Sequence, residues 1–124
     1  MFEIYIDINP KAAPRPRFRN NHAYMPVDYQ KYLAEIKRQL QLHLPAYLSA
    51  DIIALQVTFF KNRPINSVSF GDLDNLLKGV MDAMNGVVYK DDAQIITVAA
   101  AKKKSTREGI HIVIQYLGVN NDND

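Results

Sequence analysis

Between Leu73 and Met84 the chain carries one unbroken helical stripe. Leu73, Leu76, Leu77, Val80, Met81 and Met84 recur at steps of three and four, the spacing of a single buried face. Asn85-Gly86 ends it, and Gly86 suits the left-handed residue that closes a helix. The segment from Asp72 to Asp92 that contains this helix is unusually acidic: Asp72, Asp74, Asp82, Asp91 and Asp92 fall within it, with Lys78 among them. At about 100° per residue, Asp74, Lys78 and Asp82 share one flank of the stripe. Asp72 would sit about 200° from Asp74 if both were helical. The two converge only if Asp72 precedes the first turn, and Gly71 gives the backbone that freedom.

Two readings of these acids stand side by side. Asp72 can be an ordinary helix cap, with Asp74 favoured by the helix dipole and paired to Lys78 on the surface. Alternatively, the two carboxylates face a common point and hold a divalent cation, with Lys78 one turn further in to meet a phosphate; Mg²⁺ takes carboxylate, water and phosphate oxygens. A third acid would come from Asp91-Asp92, in a turn Lys90 to Gln94 between two expected strands, Val87-Val88-Tyr89 and one beginning at Ile95. Neighbours in an extended chain point to opposite sides, so only one of that pair is expected to join. Equally, it can be a plain polar turn.

The run DLDNLLKGVMDAMNGVVYKDDAQI resembles the signature of the RusA family of Holliday junction resolvases: D-x-D-N-x-x-K, an apolar helix, then D-D-x-Q. The resemblance is close over residues 70 to 96 and elsewhere covers only element order. It implies that Asp72, Asp74 and Asp92 bind the catalytic metal, Mg²⁺ with Mn²⁺ as a substitute. It also makes Lys78 a phosphate-facing residue, with Asp91 a weaker candidate. It further implies a homodimer and a four-way DNA junction as substrate. Where family members often have a basic residue or Lys-Pro before the first aspartate, this chain has Phe70-Gly71.

Charge agrees with a polyanionic substrate. Residues 71–92 carry net −3, so the remainder of a chain of net +2 carries net +5, an acidic centre in a basic surround. The 124 residues are 48% hydrophobic, enough for one domain with one core. There is no cysteine, hence no disulfide framework, thiolate metal site or cysteine nucleophile. No apolar run reaches the length of a membrane span, and the alternating MFEIYIDI is not a secretory signal, so a cytoplasmic protein with no membrane partner is expected.

Along the chain, Phe2, Ile4, Ile6 and Ile8 alternate as a first strand stopping at Asn9-Pro10. Residues Lys11 to Pro26 hold several prolines with Lys11, Arg15, Arg17 and Arg19, and read as a loop. It is either a solvated surface or, as expected here, an arm for the DNA backbone with Phe18 and Tyr24 free to pack on sugars or bases. A helix follows from Val27 to His43 with Tyr29, Tyr32, Leu33, Ile36, Leu40 and Leu44 on its stripe, stopped by Pro45. Ile53, Leu55, Val57 and Phe59 make a strand suited to a central position. Ile95–Ala101 and Gly109–Leu117 read as an antiparallel hairpin whose tip, Lys102, Lys103 and Lys104 with Arg107, is a second candidate DNA contact. Apolar residues on both of its faces leave one for a dimer interface. Residues 118–124 read as a disordered acidic tail after a domain of residues 1–117.

The expected fold is therefore α+β, one small domain with a mixed or antiparallel sheet and two helices, as in the RusA family. The expected activity is that of a Mg²⁺-dependent endodeoxyribonuclease that resolves Holliday junctions by paired phosphodiester hydrolysis, giving 5′-phosphate and 3′-hydroxyl ends. A catalytically inactive branched-DNA-binding protein, or a broader branch or flap nuclease, would share the same basic surround.

Overall fold

The computed structural model describes residues 1–45 and 50–118; the expected tail falls almost wholly outside them. Alternation makes β1 (Phe2–Ile6), which buries Ile4 and Ile6 and turns Glu3 outward. A two-stranded ribbon follows, β2 (Arg17–Arg19) and β3 (His22–Tyr24), then α1 (Val27–His43), which buries Tyr29, Tyr32, Ile36 and Leu40. Next come β4 (Ile53–Lys61), α2 (Leu73–Met84), a short 3₁₀ turn (Asp92–Gln94), β5 (Ile95–Lys104) and β6 (Gly109–Tyr116). Both helices match the bounds their stripes imply.

The main sheet has the order β1-β6-β4-β5, and β4 is central as expected. It is a mixed sheet: β4 runs parallel to β5 and antiparallel to β6, which is antiparallel to β1. Alternate residues of β1, β4 and β6 meet both helices in one core, including Leu55, Val57, Phe59, Ile110, Ile112 and Ile114. Leu76 of α2 lies wholly inside it. Truncating such a leucine to alanine typically costs about 2–5 kcal/mol.

The hairpin expected of β5 and β6 does not exist. Parallel strands need a crossover, and α2 supplies one that returns the chain to pair β5 beside β4, occupying one edge of that strand. The connection to β6 then passes over the end of β4. There the Ser105 N–H donates to the Lys61 carbonyl at 3.1 Å and the Asn62 N–H donates to Glu108 Oε2 at 3.1 Å. Four residues suffice, because the strands on either side of β4 stand only about 10 Å apart.

Two smaller expectations also change. Val87-Val88-Tyr89 is a series of turns with a single bridge, Asn85 to Tyr89, not a strand. The Tyr89 hydroxyl donates to the Met81 carbonyl at 2.6 Å, and the Tyr116 hydroxyl to Val88's at 2.9 Å, so side chains hold these turns to the core. The Lys11–Pro26 segment is not all loop: Asn20 and Asn21 both have positive φ (52° and 64°), the two-residue turn that closes the β2–β3 ribbon.

Candidate active site

The approach to Asp72 is built by small residues and one lysine. Ser67 caps the turn, its hydroxyl donating to the Pro64 carbonyl at 2.7 Å and accepting the Phe70 N–H at 3.2 Å. Phe70 is buried, Gly71 adopts a φ of 101°, and the chain enters α2 with Asp72 extended at φ −74° and ψ 140°. Lys102, reaching over from β5, donates to the Gly71 carbonyl at 2.8 Å with its ammonium 5.1 Å from the centre of the Phe70 ring. Lys102, one of the cations expected to meet DNA, thus fixes the backbone beside Asp72. Lys103 and Lys104 remain exposed.

Asp72 precedes the first turn, the condition for it to turn toward Asp74. It occupies the cap position, yet its side chain makes no cap hydrogen bond. Asp74 Oδ1 accepts the neighbouring Asn75 N–H at 2.9 Å. Lys78 is exposed and, among the described residues, forms no ion pair with Asp74 or any other acid. The surface-pair reading of these residues thus lacks its pair.

The second motif divides its acids. Asp91 Oδ1 accepts the Ala93 N–H at 3.0 Å, while Gln94 Oε1 accepts the Lys90 and Asp91 N–H groups at 2.9 and 3.0 Å, a reciprocal capping box. Gln94 Nε2 also donates to the Asp51 carbonyl at 2.8 Å, tying the turn to the chain entering β4. Asp91's carboxyl is held below its ordinary value by the Ala93 N–H first and by its hydrogen bond with the Asp92 side chain second. Both acids are exposed, but the Asp91 side chain serves the turn, whereas the Asp92 side chain is no part of the capping box. Burial pushes the Tyr89 hydroxyl up to about 12, and the nearby negative charges of Asp92 and Asp82 add to the shift.

The fold sets the two motifs far apart within one chain. Lys102 touches Gly71, so the start of α2 lies near the C-terminal end of β5, while Asp92 lies just before its N-terminal end. Seven residue steps along the strand, from Ile95 to Lys102, separate these points, about 23 Å at about 3.3 Å each. Among the described residues, no three carboxylate or imidazole side chains stand close enough to hold one metal ion. Asp72 and Asp74 form one half of a candidate cation site and Asp92 another.

The basic arm is anchored at the first half. The Ala13 N–H donates to the Asn75 carbonyl at 3.1 Å, and a Cβ on Gly71 would stand 3.0 Å from Ala12 Cβ. Lys61 donates to the Pro10 carbonyl at 3.0 Å, and its pKa is lowered chiefly by burial. Arg15, Arg17 and Arg19 extend from this anchor, exposed, as does Lys11. Sequence reasoning missed Lys61 and Lys102 as residues that support the site, since nothing in their spacing shows which backbone they reach.

The description endodeoxyribonuclease RusA matches residues 7–115. The chain belongs to the RusA endodeoxyribonuclease family. It is also similar to an uncharacterized protein, YqaN, of Bacillus subtilis (strain 168), 24% identical over 136 aligned positions that span 92% of this chain and 94% of that protein. Membership makes this RusA-family chain a nuclease of the junction-resolving type. No helix among its described residues is long and apolar enough to cross a membrane.

Proposed function

We propose that this RusA-family protein is a Mg²⁺-dependent endodeoxyribonuclease that cuts four-way DNA junctions as a homodimer, with Asp72, Asp74 and Asp92 as metal ligands. The observation that supports it most is the state of the motif residues. Asp72, Asp74, Asp92 and Lys78 are all exposed, and none belongs to an ion pair among the described residues, although Asp74 and Lys78 stand one turn apart on the same helix. Their donor set suits the ion, since Mg²⁺ takes one or two carboxylates and fills its shell with water and phosphate oxygens.

A bound Mg²⁺ would neutralise the scissile phosphate and lower the pKa of the attacking water. Asp72 and Asp74 would hold the ion at the start of α2. Lys78, one turn further, stabilises the charge that builds on the nonbridging oxygens. The basic arm holds the DNA backbone beside them. Cutting by water leaves a 5′-phosphate and a 3′-hydroxyl.

Because the two half-sites sit at opposite ends of α2, a twofold axis crossing that helix would bring Asp92 of one protomer toward Asp72 and Asp74 of the other. Two equivalent composite sites would result, one for each of the two strands that paired nicking must cut. Scission of a synthetic four-way junction with and without Mg²⁺ tests the activity. Mixing an Asp74→Asn protein with an Asp92→Asn protein tests the assembly. Composite sites leave one intact site in each mixed dimer, so nicking returns; sites closed within a chain leave none. A monomer in sedimentation that binds junctions without cutting them would instead be a branched-DNA-binding protein.

A further inference from the structure

The β2–β3 ribbon has two unlike faces. Arg17 pairs across it with Tyr24 and Arg19 with His22, so these four side chains share one side. Phe18 pairs with Ala23 on the other; the residue is 73% exposed and, among the described residues, packs against neither the core nor another aromatic ring. An exposed phenylalanine on a loose loop would signify little. This one stands on a paired ribbon closed by a two-residue turn, and the ribbon's root is bonded to the first turn of α2 through Ala13 and Asn75.

Charge indicates what the ribbon meets. From Ile8 to Val27 the chain has no acid, while Lys11, Arg15, Arg17 and Arg19 are all exposed. A polyanion suits the arginine face, and an aromatic ring beside a phosphate-binding face suits a base. Paired bases inside a duplex are already stacked. Bases at a branch point are the ones whose faces can be uncovered at small cost, and an apolar wedge between them is a known means of opening a step.

We propose that the ribbon is a branch-point wedge: Phe18 stacks on a base at the crossover while Arg17 and Arg19 hold the flanking backbone. This rests on the nuclease reading and names what selects a branched substrate for it. The geometry also sets where cutting occurs. Phe18 is five residues from Ala13, at most about 18 Å of chain, or about five base-pair steps at 3.4 Å. The cut phosphate should lie within about that distance of the stacked base.

The test uses the whole protein in EDTA with four-way junctions carrying 2-aminopurine at the branch or ten pairs away, and with plain duplex. Wild-type binding should brighten the branch probe and leave the distant one unchanged. Phe18→Ala should abolish the brightening and weaken junction binding about tenfold while duplex binding moves by less than about twofold; Phe18→Trp should restore both. Arg17→Ala with Arg19→Ala should weaken both substrates and flatten the salt dependence. If wild-type protein binds and cuts junctions with no brightening, or Phe18→Ala keeps it, the wedge is overturned and the nuclease reading stands. If Phe18→Ala changes only the sedimenting mass, the ring packs against a second copy and the wedge is again overturned. If wild-type protein binds no branched DNA, both readings fall together.

Discussion

The two acidic motifs of this chain are separated by one helix, and they handle acid in opposite ways. At the start of α2 the helix is left without a side-chain cap, so Asp72 stays exposed ahead of the first turn. In the turn before β5 the cap is complete, formed by Asp91 and Gln94, and it leaves the neighbouring Asp92 side chain outside the capping box. The first motif exposes both of its acids by forgoing a cap; the second assigns one acid to the cap. The comparison also shows that neighbours in sequence need not be neighbours in space. A crossover helix necessarily carries the chain from one end of the sheet to the other.

The strongest way to break this comparison is to neutralise each exposed acid. Asp72→Asn, Asp74→Asn and Asp92→Asn should each lower junction cutting at least about a hundredfold, a loss expected of metal ligands when even their outer partners are worth 10–100-fold. Gel-shift binding should be unchanged or tighter, since each change removes a negative charge facing a phosphate. Normal turnover in any of the three would remove that residue from the site. Lys78→Met comes next, at about a hundredfold in kcat with little change in binding, the scale of one lost group that stabilises transition-state charge. A loss confined to affinity would make it a simple backbone contact.

Much of this was legible in the sequence, for reasons that differ by element. The bounds of α1 follow from an apolar stripe stopped by Pro45, and those of α2 from a stripe closed by Asn85-Gly86. The central place of β4 follows from its alternation on a buried face. The pairing of β5 was not legible, because a connection of four residues suits a hairpin and a step over one strand end equally well. Only the choice of β5 to lie beside β4 after the α2 crossover decides it. The candidate acids were legible as residues but not as a place. Spacing along a chain fixes angles on a helix, and says nothing of which end of a sheet the next turn reaches. The sequence also puts no cation directly before Asp72, where Phe70-Gly71 stands; the fold brings one from Lys102, 31 residues away in sequence.

That lysine sharpens the contrast further. Lys102→Met keeps the aliphatic stem over Phe70 and removes the donor to the Gly71 carbonyl. Cutting should fall about tenfold, the effect of losing one charged hydrogen bond that positions the site, with Phe70 still packed and thermal unfolding little moved. An equal loss of binding to duplex and junction would instead return Lys102 to the DNA contacts. Across the molecule, Gln94→Leu removes the donor to the Asp51 carbonyl and the acceptor of two N–H groups. It should lower stability by about 1–3 kcal/mol, measured by urea unfolding, with cutting following only as far as Asp92 is displaced.

The smallest expected effect separates the two adjacent aspartates. Asp91 serves the turn by accepting the Ala93 N–H, a task the amide oxygen of asparagine performs about as well at a helix cap. Asp91→Asn should therefore cut junctions at nearly the wild-type rate, whereas Asp92→Asn should not cut. Acid makes the same distinction. Asp91's carboxyl is held below its ordinary value by the Ala93 N–H, so its contribution to the turn is complete above that ordinary value and fades as pH falls through the lowered one. In Asp91→Asn that part of the acid response should vanish while the rest of the unfolding profile remains. If Asp91→Asn cuts as poorly as Asp92→Asn, both carboxylates face the metal, and the division of labour within the second motif is wrong.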